Sequence, residues 1–263
     1  MRTTSNPAFR NLPTTGGYAN FNYGQGQAAS PFGGASTAPP QTSRPMTIDD
    51  VVTKTAITLA LAVVTGTLTY LVGPSAVALA LPAAIVGLVI SLVIMFTKKV
   101  RPALVIAYSA VEGVFLGGIS YVFATWVGNS GIIMQAIAGT IGVFAAMLVV
   151  YKTGAVRVTP KLTKWIIGAL AGVFVLMLVN LIASFFTAGG LGLREGGALG
   201  IGFSLLCIGI AAFSFLLDFD AADQAIRSGV DAKFAWYIAF GLMTTLVWLY
   251  LEILRLLSYF QRD

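Results

Sequence analysis

Five charged residues interrupt long apolar runs of this 263-residue chain, and their side chains are the ones best suited to chemistry. Glu112 lies in the middle of one run. Asp218 and Asp220 close a later run, and the last run carries Glu252 with Arg255 three residues on. A charge at the centre of a membrane-spanning helix costs about 2.5–3.5 kcal/mol, so such residues usually serve a function. Carboxylates exchange protons and bind hard cations through oxygen, which makes these residues candidates for an ion pathway or a pH sensor.

Each of the five residues also has a purely structural interpretation. Glu252 and Arg255 share a helix face and can neutralise each other. Asp218 and Asp220 can simply mark the end of their helix. Glu112 can be a protonated packing residue that is hydrogen-bonded to a neighbouring helix. The sequence leaves both interpretations open.

Composition places these residues in a membrane protein. Hydrophobic residues make up 57% of the chain and charged residues only 10%, whereas a soluble domain carries about 25% charged residues. The excess apolar surface must therefore face lipid. The net charge of +6 comes from basic residues that mostly flank the apolar runs, which argues against a nucleic-acid partner.

Histidine is absent, and the single cysteine, Cys207, lies inside an apolar run. This composition excludes disulfides, histidine-ligated zinc, and proteases or hydrolases that need a histidine base. We find no Walker A or dinucleotide-binding glycine pattern, and no Gly-x-Gly-Asp element of an intramembrane aspartyl protease. We therefore expect a protein that is not an enzyme and has no cofactor. In a chain without histidine, pH sensing would depend on carboxylates.

The chain divides into a polar tail and a seven-helix domain. Residues 1–46 are rich in Gly, Ser, Thr, Pro, Asn and Gln, which predicts a disordered N-terminal tail. Residues 47–263 contain apolar segments close to the roughly 20 residues that cross a bilayer. These predict an all-α integral membrane protein with Thr47 as the first N-cap. The predicted spans are 52–72, 77–97, 103–126, 132–153, 163–187, 199–220 and 235–258.

The distribution of basic residues predicts the orientation. If the N-terminus is cytoplasmic, thirteen of the sixteen Lys and Arg residues lie on the cytoplasmic side, and Arg194, Arg255 and Arg262 are the exceptions. Such a bias is typical of the cytoplasmic loops of membrane proteins. We therefore expect a multi-pass protein with a cytoplasmic N-terminus, and the odd number of spans then puts the C-terminus outside.

Several segments together resemble the Bax inhibitor/YccA family of transmembrane BAX-inhibitor-motif proteins. They are residues 110–117 (AVEGVFLG), the pair Phe219-Asp220, and residues 249–252 (LYLE) followed by Arg255. The segments 2–7 and 45–50 are similar to those of an actinobacterial branch of the family. The resemblance covers about residues 47–260.

This resemblance implies a C-terminal helix that lies centrally between two sets of three helices. It also implies a pH-gated cation leak, with calcium as the bound or transported ion, controlled by a pair of acids on helices six and seven. By position, Asp220 and Glu252 are that pair and the candidate cation ligands, and Arg255 is a candidate modulator. Here the seventh-helix acid is Glu where the family has Asp, and Asp218 is an additional acid.

The spacing of the two acids makes a geometric prediction. If the turn between helices six and seven lies near Gly229, Asp220 and Glu252 differ in height by roughly 20 Å at 1.5 Å per residue. They meet only if the turn lies near Trp236 or if a helix breaks, for example at Gly241.

Three functions remain as hypotheses. The first is a pH-sensitive cation (calcium) leak in the plasma (inner) membrane, gated by intramembrane carboxylates. The second is a non-conducting regulator that binds another membrane protein, such as the membrane protease FtsH, with which bacterial relatives are associated. The third is a secondary transporter. Inverted repeats with broken helices at matching positions would favour it, and we find no convincing repeat in the sequence.

Overall fold

The computed structural model describes residues 44–97, 101–187 and 189–261. Of the tail predicted over residues 1–46, residues 1–43 lie outside these ranges. Lys98, Lys99 and Arg262 also lie outside the described residues.

The described residues form seven long α-helices. They are α1 (Ile48–Leu71), α2 (Ser75–Phe96), α3 (Pro102–Val127), α4 (Gly131–Thr153), α5 (Pro160–Ser184), α6 (Ala198–Arg227) and α7 (Ala235–Phe260), and a short 3-10 helix (Ala232–Phe234) precedes α7. All seven are long and apolar enough to cross a membrane. The predicted multi-pass helical fold is confirmed, and the observed helices match the predicted spans closely.

The largest difference is at the end of α6, which continues seven residues beyond the predicted limit at position 220. The segment 221–227 contains Asp223, Gln224 and Arg227, so a span predicted from continuous apolar residues ends before it. It still forms a helix, in which Asp223 and Arg227 make an i,i+4 ion pair at 2.8 Å. This last part of α6 is a polar extension of the membrane span.

The helices pack as two sets of three around α7. In one set α1 and α2 pack on α3, and in the other α4 and α5 pack on α6. Helix α7 contacts α1 and α3 of the first set and α4 and α6 of the second, and it is the most buried span. The central C-terminal helix implied by the resemblance is therefore present.

Small residues allow the closest of these contacts. A side chain at Gly113 or Gly117 of α3 would collide with the α1 backbone at Ala62 or Gly66. By contrast, an added Cβ at Gly168 or Gly172 of α5 would have no neighbour within 4 Å. The same four-residue spacing thus produces a tight crossing on α3 but not on α5.

The start of α1 fastens to the loop before α7. Thr47 and Asp50 form a capping box, which confirms the predicted N-cap. The Met46 amide donates to the Val230 carbonyl at 2.8 Å, and the Met46 side chain is 2% exposed. Because Arg44 also bonds Asp50 at 2.7 Å, the folded part begins before the predicted boundary at residue 47. We call the end of the bundle that holds the start of α1 and the loop 228–234 the basic end, and the end that holds the loops 72–74, 128–130 and 185–197 the opposite end.

Candidate functional site

Asp218 faces the central helix. Its Oδ2 accepts a hydrogen bond from the Thr245 hydroxyl of α7 at 2.7 Å. Gly241 lies one turn earlier on α7, and an added Cβ there would be 3.9 Å from Asp218 Oδ1. That is an ordinary van der Waals distance, so the half-buried carboxyl group packs closely on α7 at this position.

Glu112 lies in the other three-helix set and is 9% exposed. An added Cβ at Gly87 of α2 would be 2.9 Å from its Oε2, so this close approach depends on glycine. Its side chain also interacts with Tyr108, one turn earlier on α3. The Tyr108 hydroxyl lies 3.5 Å from the Thr244 hydroxyl of α7.

The two acids are thus connected to consecutive residues of α7. Glu112 reaches Thr244 through Tyr108, and Asp218 bonds Thr245 directly. Consecutive residues on a helix point about 100° apart, so the acids approach α7 from different directions. We call these five residues the threonine bridge: Glu112, Tyr108, Thr244, Thr245 and Asp218. It forms a band of polar side chains across the bundle and joins both helix sets through α7.

Glu252 belongs to a second polar cluster, closer to the opposite end. It is 2% exposed, and its Oε1 contacts the guanidinium groups of Arg255 at 3.2 Å and Arg194 at 3.5 Å. Its Oε2 is buried, as are the hydroxyls of Ser204 and Tyr259. One carboxylate with two guanidinium groups gives this cluster a net positive charge when all three are ionised.

Arg194 comes from the loop 185–197, not from a helix. The loop folds back on α5, where the Asn180 side chain accepts a hydrogen bond from the Leu191 amide at 2.9 Å. Gly189 and Gly190 have positive φ angles of 86° and 64°, which a non-glycine residue rarely adopts. The folded loop directs Arg194 inward, with its Nη2 2.9 Å from Met177 Sδ.

Asp220 has different surroundings from the other acids. It is half-buried, and its Oδ2 accepts a hydrogen bond from Gln224 of the same helix at 2.6 Å. It is followed by the polar extension of α6, where Tyr151 of α4 lies 3.4 Å from Asp223. Asp220 therefore lies towards the basic end of the bundle.

The structure does not bring Asp220 to Glu252. The bond between Asp218 and Thr245 sets the register of the antiparallel helices α6 and α7, and it places Asp220 level with Met243. Glu252 is nine residues further along α7, or about 14 Å at 1.5 Å per residue. Helix α7 is continuous through Gly241 and begins at Ala235, so neither geometry that would pair the two acids occurs. The pair implied by the resemblance is not formed in this structure.

The predicted metal ligands also lack a common site. Among residues 44–97, 101–187 and 189–261, no group of three or more His, Cys, Asp or Glu residues could hold a metal ion. Cys207 is buried with Val173 and Phe203 in an apolar cluster, in keeping with a packing role.

Comparison with known proteins supports the resemblance. The family model described as Bax inhibitor 1 like matches residues 6–262, nearly the whole chain. The chain belongs to this family. No curated protein matches it. In this Bax inhibitor 1 like protein, the sixth-helix acid that contacts α7 is Asp218, two residues before the Asp220 position indicated by the resemblance.

Several site residues of this Bax inhibitor 1 like protein escaped the sequence analysis. Arg194 lies outside the apolar spans, where a search for intramembrane charges does not look. Tyr108, Thr244 and Thr245 are neutral and common in membrane helices. The two consecutive threonines facing two acids are recognisable only once the helix register is known.

We predict that Glu252→Gln will strongly destabilise the protein. The substitution keeps the shape but leaves two guanidinium groups partly buried beside a neutral amide, and breaking a buried ion pair costs about 3–5 kcal/mol. Thermal unfolding in detergent, followed by size-exclusion chromatography, measures the effect. Asp223→Asn is the matched control, because it removes an exposed ion pair with Arg227 and should shift the midpoint far less. Equal shifts for the two variants would contradict the assignment of Glu252 to a buried charge cluster.

Proposed function

We propose that this protein is a proton-sensitive cation leak of the plasma membrane, with calcium as the ion carried. The observation that supports it best is the threonine bridge, which holds two intramembrane acids against neighbouring residues of the central helix. Buried carboxylates in a membrane bundle commonly mark ion or proton pathways. Family membership supports the same class of function.

The mechanism follows from the chemistry of carboxylates. When Asp218 and Glu112 are ionised, they attract cations towards α7 and offer them hard oxygen ligands. When they are protonated, that attraction is lost and the neutral groups hydrogen-bond within the bundle. We therefore assign the cation contact to Asp218 and Glu112, and the leak falls as pH decreases from 8 to 5.

The cluster of Glu252 with Arg194 and Arg255 has the opposite role in this proposal. Two guanidinium groups near the opposite end repel cations, and Glu252 partly neutralises them. Arg255, named as a modulator by the resemblance, acts in this way. Removing the Glu252 charge strengthens the positive field and lowers the leak.

We predict the following for calcium flux into proteoliposomes loaded with a fluorescent indicator, measured from pH 5 to 8. The wild type leaks more at pH 8 than at pH 5. Asp218→Asn and Glu112→Gln each reduce the leak at pH 8 by about tenfold or more, because each loses an attraction of a few kcal/mol for the cation. Both variants also flatten the pH dependence.

Asp220→Asn is the matched control for this experiment, since it changes the same residue type two positions away on a side chain bonded within α6. It should keep the wild-type leak and its pH dependence. Flux no greater than in empty liposomes at every pH would reject conduction. Equal losses in Asp218→Asn and Asp220→Asn would reject the assignment to the threonine bridge.

We also propose an orientation with the basic end in the cytoplasm. Arg44, Lys54 and Lys233 lie at this end, in agreement with the positive-inside rule. After Cys207→Ala, cysteines introduced at the exposed positions Ser130 and Ala155 test it in intact cells. A membrane-impermeant maleimide should label the cysteine at position 130 and not the one at 155, and the reverse pattern would overturn the orientation.

The alternative proposal is a non-conducting regulator that binds a membrane protein such as the FtsH protease. The feature that favours it is α5, the least buried span, which packs mainly on α6 and leaves a long apolar surface for a partner. Deleting residues 1–43 separates the leak from a regulator that binds its partner through the N-terminal segment. The deletion must end at 43, because Arg44 and Met46 belong to the folded part.

For this deletion we predict unchanged calcium flux, since the threonine bridge is intact. A regulator that uses the N-terminal segment as its contact would instead lose co-purification of its partner. Loss of FtsH co-purification, together with no flux in the full chain, would favour the regulator over the leak.

A further inference from the structure

A cavity of about 490 Å³ lies between α1 and α4. Helices α3 and α7 form its inner wall, where Leu116, Met243 and Leu246 line it. Its outer side opens to the lipid-facing surface, because the lining residues Val63 and Met134 are 61% and 67% exposed. The cavity is therefore a lateral cleft that reaches from the bilayer to the central helix. Its volume is within the usual range of small-molecule sites.

The cleft spans one half of the membrane. It extends from Leu59 and Met243, near the middle of their helices, to Tyr70 and Ser130 at the opposite end. On α1 the distance from Leu59 to Tyr70 is eleven residues, or about 16 Å. Half of a bilayer core of roughly 30 Å is about 15 Å, so the cleft is as long as one leaflet is deep.

The chemistry of the deep lining favours an apolar occupant. Most of the wall is aliphatic, and its hydroxyl groups already have partners inside the protein. The Ser120 and Tyr250 hydroxyls bond each other at 2.7 Å, and the Thr140 hydroxyl donates to the Ala136 carbonyl at 2.8 Å. The donors of these hydroxyls are thus used inside the protein, and the aliphatic rest of the wall offers no partner to an ordered water molecule, which needs two to four. A hydrated cation has no better partners here.

The remaining polar side chains of the cleft lie at its outer rim, near the ends of α1 and α4. Thr67, Tyr70 and Ser130 line the cleft at the opposite end of the bundle. Tyrosine and hydroxyl side chains at this level suit the interfacial region of a bilayer. The cleft thus has a polar rim and an apolar interior, which is the polarity of a lipid with its ester region at the interface and its chain below.

We propose that this cleft binds one acyl chain of a membrane lipid, which enters sideways between α1 and α4. The ester region lies by Tyr70 and Ser130, and the chain runs down to Met243. The bound chain contacts Leu246 and Val247, on the helix that carries the threonine bridge. This lipid site does not depend on whether the protein conducts ions.

Photo-crosslinking of the full chain in liposomes tests the proposal. The liposomes contain phosphatidylcholine and phosphatidylglycerol, with a trace of phosphatidylcholine that carries a diazirine near the end of one acyl chain. After irradiation, mass spectrometry of peptides locates the labelled residues. We expect labelling of α7 at Met243, Leu246 or Val247, which are 0%, 7% and 7% exposed and lie behind the cleft. The exposed α5 residues Phe174 and Leu181 report on ordinary lipid contact.

Two variants obstruct the cleft at different depths. Val63→Trp places a large side chain at its mouth, where the exposed position tolerates size, and Ile137→Phe fills its interior. Each should reduce labelling of α7 by about tenfold, a loss of roughly 1.4 kcal/mol of binding. Labelling of α5 should not change in either variant. Leu181→Trp is the matched control, because it adds the same bulk to a lipid-facing position on α5 and should leave α7 labelling as in the wild type.

The experiment has clear contrary results. Labelling of α5 without α7 in the wild type would mean that lipid does not enter the cleft. Labelling of α7 that persists in both obstructed variants would mean that the chain reaches α7 by another route. Either result overturns the proposal. Intact α5 labelling and a monodisperse elution profile show that a variant has folded, and because two positions are tested, misfolding of one leaves the other decisive.

Discussion

Polar groups inside the seven spans must find their partners within the protein, because lipid offers none. In this bundle many of these partners are side chains of α7, the helix that both three-helix sets contact. Thr244 contacts Tyr108, the partner of Glu112, and Thr245 bonds Asp218. Tyr250 bonds Ser120, and Glu252 partly neutralises two guanidinium groups. The central position of α7 is therefore an electrostatic necessity as well as a packing arrangement. A shift of α7 by one turn would leave several of these groups without partners at once.

The fold was predictable from the sequence because it depends on local properties of the chain. Long apolar runs require helices in lipid, and Thr47 with Asp50 marks the first helix start. The candidate site was predictable only in part. Glu112, Asp218 and Glu252 were identified by the cost of placing a charge in an apolar run, but that cost says nothing about which of them meet. Arg194 could not be identified in this way, because its loop becomes part of the site only through folding.

The helix register explains why the pair of acids indicated by the resemblance does not form. The contact between Asp218 and Thr245 centres the turn near residue 231, close to the Gly229 turn considered from the sequence. That geometry makes any contact between Asp220 and Glu252 incompatible with two straight helices. The acids instead occupy two levels, with the threonine bridge near the middle of α7 and the arginine cluster towards the opposite end. A neutral hydroxyl between the helices takes the place of a second carboxylate, so Asp218 can lose or gain a proton without an adjacent acid that opposes the change.

Charged contacts hold α7 near both of its ends. At the basic end, the Lys54 side chain contacts the Ala232 carbonyl and lies over the Trp236 ring, with 6.0 Å from Nζ to the ring centroid. Towards the opposite end, Arg194 reaches Glu252 from the loop 185–197. Both contacts come from other segments of the chain, so both resist a movement of α7 along its axis. Between these contacts, Leu246 and Val247 of α7 line the lipid-open cleft. A lipid chain in the cleft would therefore pack against the part of α7 that carries the threonine bridge, between the two charged contacts.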